Sequence, residues 1–147
     1  MKNRGQGSLA FLKTAFLAAA LLITLAALPV IGDDTLSTAR DLGTLSSNTT
    51  IHDFVGPSDT QDYYCFTIAG SVTDLTVVLD GLSDYTRVEL IEDKNHNGIV
   101  DSGEVLASQY SGIETSFHQW LDPGTYYVRV SQYASGDSSE YDLTLAP

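Results

Sequence analysis

The run from Asp93 to Glu104, D-K-N-H-N-G-I-V-D-S-G-E, places oxygen-bearing side chains at positions 1, 3, 5, 9 and 12: Asp93, Asn95, Asn97, Asp101 and Glu104. Gly98 stands at position 6 and Ile99 offers a backbone carbonyl at position 7, which completes the register of an EF-hand calcium loop. Alternation at the first three ligand positions turns successive oxygens toward one centre. Gly98 permits the sharp bend, and Glu104 can close the shell with two oxygens. Every ligand is a hard oxygen, so the set suits Ca2+ and not zinc. Asn, Asp and Gly also favour turns that hold no metal, but such a turn has no need of Glu at position 12.

A second set of candidates is aromatic. Tyr63, Trp120 and Tyr127 fall at outward or boundary positions of expected strands, and Tyr85, Tyr110 and Tyr133 lie near strand ends and loops. Flat rings pack on sugars or on the proline-rich faces of collagen with little loss of side-chain freedom. Tyr and Trp are equally at home covering the edges of half-buried sheets. Catalysis has weaker support. His52, His96 and His118 are far apart in sequence, and no nucleophile elbow, HExxH or Cys/His pattern accompanies them. His96 sits at position 4 of the loop, where a side chain points away from the metal. Asp53, Asp59 and Asp62 can meet in space, but with 19 acidic residues in the chain proximity is expected by chance. Asp59 or Asp62 is better read as fixing a turn or contributing to a second calcium position. No enzyme is expected.

The elements that must hold these residues begin after an apolar leader. Lys2, Arg4 and Lys13 precede a run from Ala15 to Ile31 broken only by Thr24 and Pro29, with no acidic residue before Asp33. This reads as a secretory signal over residues 1–32, with cleavage after Gly32 or Ala27; Pro29 and Gly32 suit a cleavage region better than the end of a retained anchor helix. A secreted or periplasmic protein, free of the membrane once the leader is removed, is the expectation. All 19 acidic residues follow the leader, against Arg40, Arg87, Lys94 and Arg129, so residues 33–147 are more acidic than the −12 of the whole chain. Nucleic acid is thereby an unsuitable partner. Cys65 is the only cysteine, which excludes an intramolecular disulfide and leaves packing, and the metal, to stabilise one domain. A monomer is expected.

From Thr49 onward, short alternating segments rich in Val, Ile, Tyr, Phe and Thr are separated by Gly, Pro, Asp and Ser. Strands are expected near 49–55, 62–68, 74–80, 86–92, 105–110, 113–120, 124–130 and 140–145, preceded by one short turn over 35–41. About eight strands at this spacing predict an all-β antiparallel sandwich. Alternation puts Tyr64, Phe66 and Ile68 inward and Tyr63, Cys65 and Thr67 outward; Tyr126, Val128 and Val130 lie opposite Thr125, Tyr127 and Arg129; Tyr141, Leu143 and Leu145 point inward. Leu75, Val77 and Leu79, with Val88 and Leu90, are expected to complete the facing sheet. The calcium loop then joins two strands and not two helices, so the helix-opening mechanism of a calcium sensor does not transfer.

Several phrases resemble one family: Thr38-Ala39-Arg40-Asp41-Leu42-Gly43, Asp59-x-x-Asp62-Tyr63-Tyr64-x-Phe66, the D-x-N-x-N-G-x-x-D-x-G-E loop, Pro123-Gly124-Thr125-Tyr126-Tyr127-Val128-Arg129-Val130, and Tyr141-x-Leu143-x-Leu145. Together they are similar to the bacterial pre-peptidase C-terminal domain over roughly residues 34–146. The resemblance implies a jelly-roll-like sandwich that is a non-catalytic accessory of secreted peptidases and other exported enzymes. It also implies calcium, collagen or insoluble polysaccharide as ligands of some members. Here a leader, rather than a peptidase, is expected to precede the domain. The chain is therefore expected to be a calcium-stabilised accessory or binding module. An adhesion module for polysaccharide or a collagen-like protein, and an accessory of a separately encoded secreted peptidase, are the alternatives.

Overall fold

The structure, a computed structural model, describes residues 32–147. The expected leader lies outside them but for Gly32. Nine strands follow one another: β1 Arg40–Thr44, β2 Thr49–Val55, β3 Gln61–Ile68, β4 Thr73–Asp80, β5 Thr86–Ile91, β6 Val105–Ser111, β7 Thr115–Leu121, β8 Gly124–Gln132 and β9 Ser139–Ala146. They form two packed sheets, a five-stranded one ordered β1-β3-β8-β5-β6 and a four-stranded one ordered β2-β9-β4-β7. Every pairing is antiparallel except that of β1 with β3. The sandwich expected from alternation is the fold.

Period-two alternation fills the space between the sheets. Tyr64, Phe66 and Ile68 of β3, Val88 and Leu90 of β5, and Tyr126, Val128 and Val130 of β8 meet Leu75, Val77 and Leu79 of β4 and Tyr141, Leu143 and Leu145 of β9 in one buried cluster. The residues between them face outward, as a two-residue period requires. One assignment is corrected. Val88 and Leu90 do not share a sheet with β4, because β5 pairs with β8 and β6. Alternation tells which residues face the core but not which sheet carries them.

Two further departures lie at the start of the domain. Residues Arg40–Thr44, which the sequence places at or beyond a short turn, form the edge strand β1. It is short, its register shifts between Asp41 and Thr44, and Gly43 takes a φ of +72° that other residues rarely adopt. Ahead of it, residues 33–39 lie over the outer face of the five-stranded sheet. The Tyr63 amide donates to the Asp33 carbonyl at 2.8 Å, and Gln61 Nε2 donates to the Asp34 carbonyl at 2.8 Å. Leu36 then packs with Tyr63 and Ile91, flanked by Val100, Val105 and Tyr127, in a second small core. Tyr63 is thus 4 % exposed and not an outward ring.

Beside this small core, Arg129 on β8 donates from Nε to Glu89 on β5 at 2.7 Å and from Nη1 to the Tyr63 hydroxyl at 2.9 Å. The Glu89 side chain is 8 % exposed, so its charge depends on this partner. Arg129→Met is expected to lower stability by about 2 kcal/mol, below the range for a fully buried pair because Arg129 keeps some contact with water. The double variant Arg129→Met, Glu89→Leu should recover most of the loss in a denaturant titration, since a same-sized apolar pair leaves no stranded charge. If the double variant is no more stable than Arg129→Met, the stranded-charge account fails.

Candidate metal centre

The loop between β5 and β6 is closed at its base by the Glu92 amide, which donates to the Glu104 carbonyl at 3.0 Å. Inside it, the oxygen-bearing side chains chosen from the sequence turn inward onto one another. Asp93 accepts from the amides of Asn97 at 3.2 Å and Gly98 at 3.0 Å. Glu104 reaches back to the amides of Lys94 at 3.0 Å and Asp101 at 2.8 Å. Asn95 and Asn97 both donate to Asp101 Oδ2, at 2.8 and 2.7 Å, and these bonds hold the Asp101 carboxyl below the usual range. Gly98 has a φ of +74° at the bend. His96, at φ 56°, is the one non-glycine residue with a positive φ among the described residues. Ile99 is exposed, while the next side chain, Val100, packs against the Leu36 cluster. The loop therefore links Asp93, Asn95, Asn97, Asp101 and Glu104 through hydrogen bonds to one another's side chains and backbone amides, with the Ile99 carbonyl at the seventh position.

A second group of carboxylates gathers at the end of the sandwich where β2 passes into β3. Asp53 lies on β2 between the buried Ile51 and Val55, and Asp62 shares the parity of Tyr64 on β3, so both point inward. Asp59 ends the tight Gly56-Pro57-Ser58-Asp59 reversal, whose ends exchange backbone hydrogen bonds at 2.7 and 3.0 Å. Asp33 is brought alongside by its bond to the Tyr63 amide. Asp33 and Asp59 are 2 % and 6 % exposed, and none of their four carboxylate oxygens has a hydrogen-bond donor.

Burial, more than anything else, pushes both carboxyls above their ordinary value, with repulsion from neighbouring aspartates adding to it. Asp62 is pushed up to about 8, again by burial first and then by Asp59, Asp33 and Asp53, against the opposing hydrogen bond from Tyr141. Arg40 Nη1, 3.9 Å from Asp53, is the only cation beside the group among the described residues. Buried carboxylates without donors are costly unless a proton or a cation neutralises them. A hard divalent cation fits this chemistry. As the side chains stand, no three His, Cys, Asp or Glu groups among the described residues converge on one point. Of these aspartates, sequence reasoning singled out Asp53, Asp59 and Asp62 but missed Asp33. The usable signal was the D-x-x-D spacing before an apolar strand.

The aromatic candidates do not form one surface. Tyr63 is buried, and Tyr127 is half-buried on the outer face of the five-stranded sheet. Trp120, 63 % exposed, belongs to the opposite sheet. Tyr85, Tyr110 and Tyr133 do come together, with Tyr110 and Tyr133 stacked at 4.7 Å between ring centres. The histidines are ordinary surface groups. His52 is held by Asp142 at 2.7 Å, which raises its pKa, and His118 lies 3.1 Å from Asp74. Burial pushes the Cys65 thiol up, against a thiolate nucleophile.

No family model matches the sequence, and no curated protein does. Among solved structures, the chain is similar to the pre-peptidase C-terminal domain of a collagenase from Bacillus anthracis, with 26 % identity and a TM-score of 0.56 over 73 % of this chain and 93 % of that one. A looser likeness is to Aeromonas hydrophila PliG, a periplasmic inhibitor of g-type lysozyme, with 12 % identity and a TM-score of 0.46 over 74 % of this chain and 97 % of that one. The two-sheet sandwich and the ordered motifs from Thr38 to Leu145 agree with the first of these likenesses, and they support the chain's resemblance to the pre-peptidase C-terminal domain.

Proposed function

We propose that this protein is an exported, non-catalytic accessory module whose fold is tied down by calcium. One ion is held by Asp93, Asn95, Asn97, Ile99, Asp101 and Glu104. A second position is supplied by Asp33, Asp59 and Asp62. The observation that carries this reading is the buried, donorless carboxylates of Asp33 and Asp59, which call for a cation where, among the described residues, only Arg40 beside Asp53 comes near. Residues 33–39 touch both positions, through Asp33 at one end and through Leu36 against Val100 at the other, so calcium would fasten the entry segment to the sandwich. Support for a non-catalytic role comes from the likeness to a pre-peptidase C-terminal domain and from the raised thiol and surface-paired histidines. Export rests on the leader; among the described residues no helix is long and apolar enough to cross a membrane. An enzyme attached to or secreted with the module is the partner that fits an accessory role. Adhesion through Tyr63, Trp120 and Tyr127 as one platform has lost its geometric basis.

Calorimetric titration of the protein with calcium tests the reading. Two binding events are expected, one lost in Glu104→Gln and the other in Asp59→Asn. Absence of binding heat at millimolar calcium, the range in which weak extracellular sites fill, would remove calcium from the function.

A further inference from the structure

Among the described residues, the exposed large apolar side chains are Val72, Tyr85, Ile99, Tyr110, Ile113, Trp120 and Tyr133. Four of them, Tyr85, Tyr110, Ile113 and Tyr133, gather at one corner of the five-stranded sheet, at the end of β5 and β6 away from the calcium loop. Tyr133 lies between Tyr110 at 4.7 Å and Tyr85 at 6.0 Å, and Gly112, next to Ile113, backs onto the Tyr85 ring. Such clustering is unusual for a monomer's surface and marks a contact site.

The corner adjoins β6, an edge strand paired only with β5. Its sequence, V-L-A-S-Q-Y-S, contains no charged residue and no proline, and Ser108, Gln109 and Tyr110 are exposed in succession. Edge strands are normally protected from pairing by charge, proline, brevity or irregularity. β1 has Arg40, Asp41 and a shifted register, and β2 has Asp53. β6 has none of these along its exposed part.

We propose that β6 is a dimer seam, pairing antiparallel with β6 of a second copy of this chain so that the two five-stranded sheets become continuous. Charge selects a second copy as the occupant. Each chain carries net −12, yet β6 and its neighbour β7 contain no Asp, Glu, Lys or Arg. This is therefore the side on which two acidic copies approach with least like charge between them. Antiparallel pairing about a two-fold axis is also self-complementary, which a single repeated strand requires. It buries Tyr110 beside the seam and leaves the tilted Tyr85–Tyr133 pair to cover it.

Hydrogen exchange of the full chain at rising protein concentration, with sedimentation velocity alongside, tests the seam. Amides of Val105–Ser111 should become protected as a dimer forms. Ser108→Lys, at an exposed position and expected to leave the unfolding midpoint of dilute protein unchanged, and Tyr110→Lys, which also gives up the ring contact with Tyr133, should each raise the dissociation constant at least about tenfold by setting like charges across the seam. The proposal is overturned if β6 amides gain no concentration-dependent protection in the wild-type chain. It is equally overturned if association survives both lysines, which would place the contact elsewhere on the chain.

Discussion

Chelating calcium is expected to lower the unfolding midpoint of this protein by about 10 °C. A ligand that binds only the folded state contributes RT ln(1 + [L]/Kd), about 2.7 kcal/mol at a hundredfold excess. For a domain of this size, each kcal/mol moves the midpoint by about 4 °C. The unfolded chain offers no comparable site. The loop shell needs Gly98 at its positive φ and Glu104 folded back onto Lys94 and Asp101, and the second position needs Asp33 carried to Asp59 by the Tyr63 amide. Glu104→Gln keeps the side-chain volume and removes one strong ligand oxygen, so it should abolish the loop's share of the shift. Asp59→Asn should abolish the other share and, by relieving carboxylate repulsion, raise the midpoint of the chelated protein. Scanning calorimetry with calcium and with chelator measures all of this. Identical wild-type midpoints in the two buffers would discard calcium as a structural element.

Most of the sandwich was legible because its core obeys the two-residue period. The Tyr64, Phe66, Ile68 and Tyr141, Leu143, Leu145 rows were readable from residue type alone and are buried as expected. What failed to show in the sequence had no period to show. β1 is a parallel edge strand with a shifted register and a left-handed glycine, so Arg40–Thr44 carries no alternation. Tyr63 alternates outward as predicted, yet residues 33–39 lie on top of it, and alternation along one strand cannot report what crosses its outer face. The same limit hid the second carboxylate group. Asp33 is distant in sequence from Asp59 and Asp62, and only the crossing segment brings them together. The turn from Asp93 to Glu104 was legible because it is local, twelve consecutive residues whose hydrogen bonds to one another follow from their spacing, while the ion it would hold stays a proposal.

With calcium chelated, the unfolding midpoint is expected to fall as pH rises from about 4 to about 8, and Asp62→Asn is expected to flatten that fall. The reason is a proton count. Asp62, Tyr141, Tyr64 and Asp53 form a chain of oxygens in which Tyr141 bonds Asp62, the two tyrosine hydroxyls lie 2.6 Å apart, and Tyr64 reaches Asp53 at 3.1 Å. Three links need three protons, and the two phenols supply two. If Asp62 holds a proton, it donates to Tyr141, Tyr141 to Tyr64 and Tyr64 to Asp53, and every link is made. If Asp62 is ionised, one close oxygen pair has no proton between them, inside a buried region where that is costly. Burial pushing Asp62 up to about 8 agrees with this count. Its folded pKa lies above the unfolded value of 3.8, so the folded state binds the extra proton. The resulting stability is complete below about pH 4, declines above it, and is gone once pH passes about 8. Asparagine at position 62 offers a permanent donor to Tyr141 without a charge, so the variant should unfold at a higher temperature than wild type at pH 9 and at a similar one at pH 4. Tyr141→Phe breaks the chain in the middle and should lower the midpoint at both pH values. Parallel midpoint-against-pH curves for wild type and Asp62→Asn would show that Asp62 is ionised throughout and that the chain of oxygens is held by some other group.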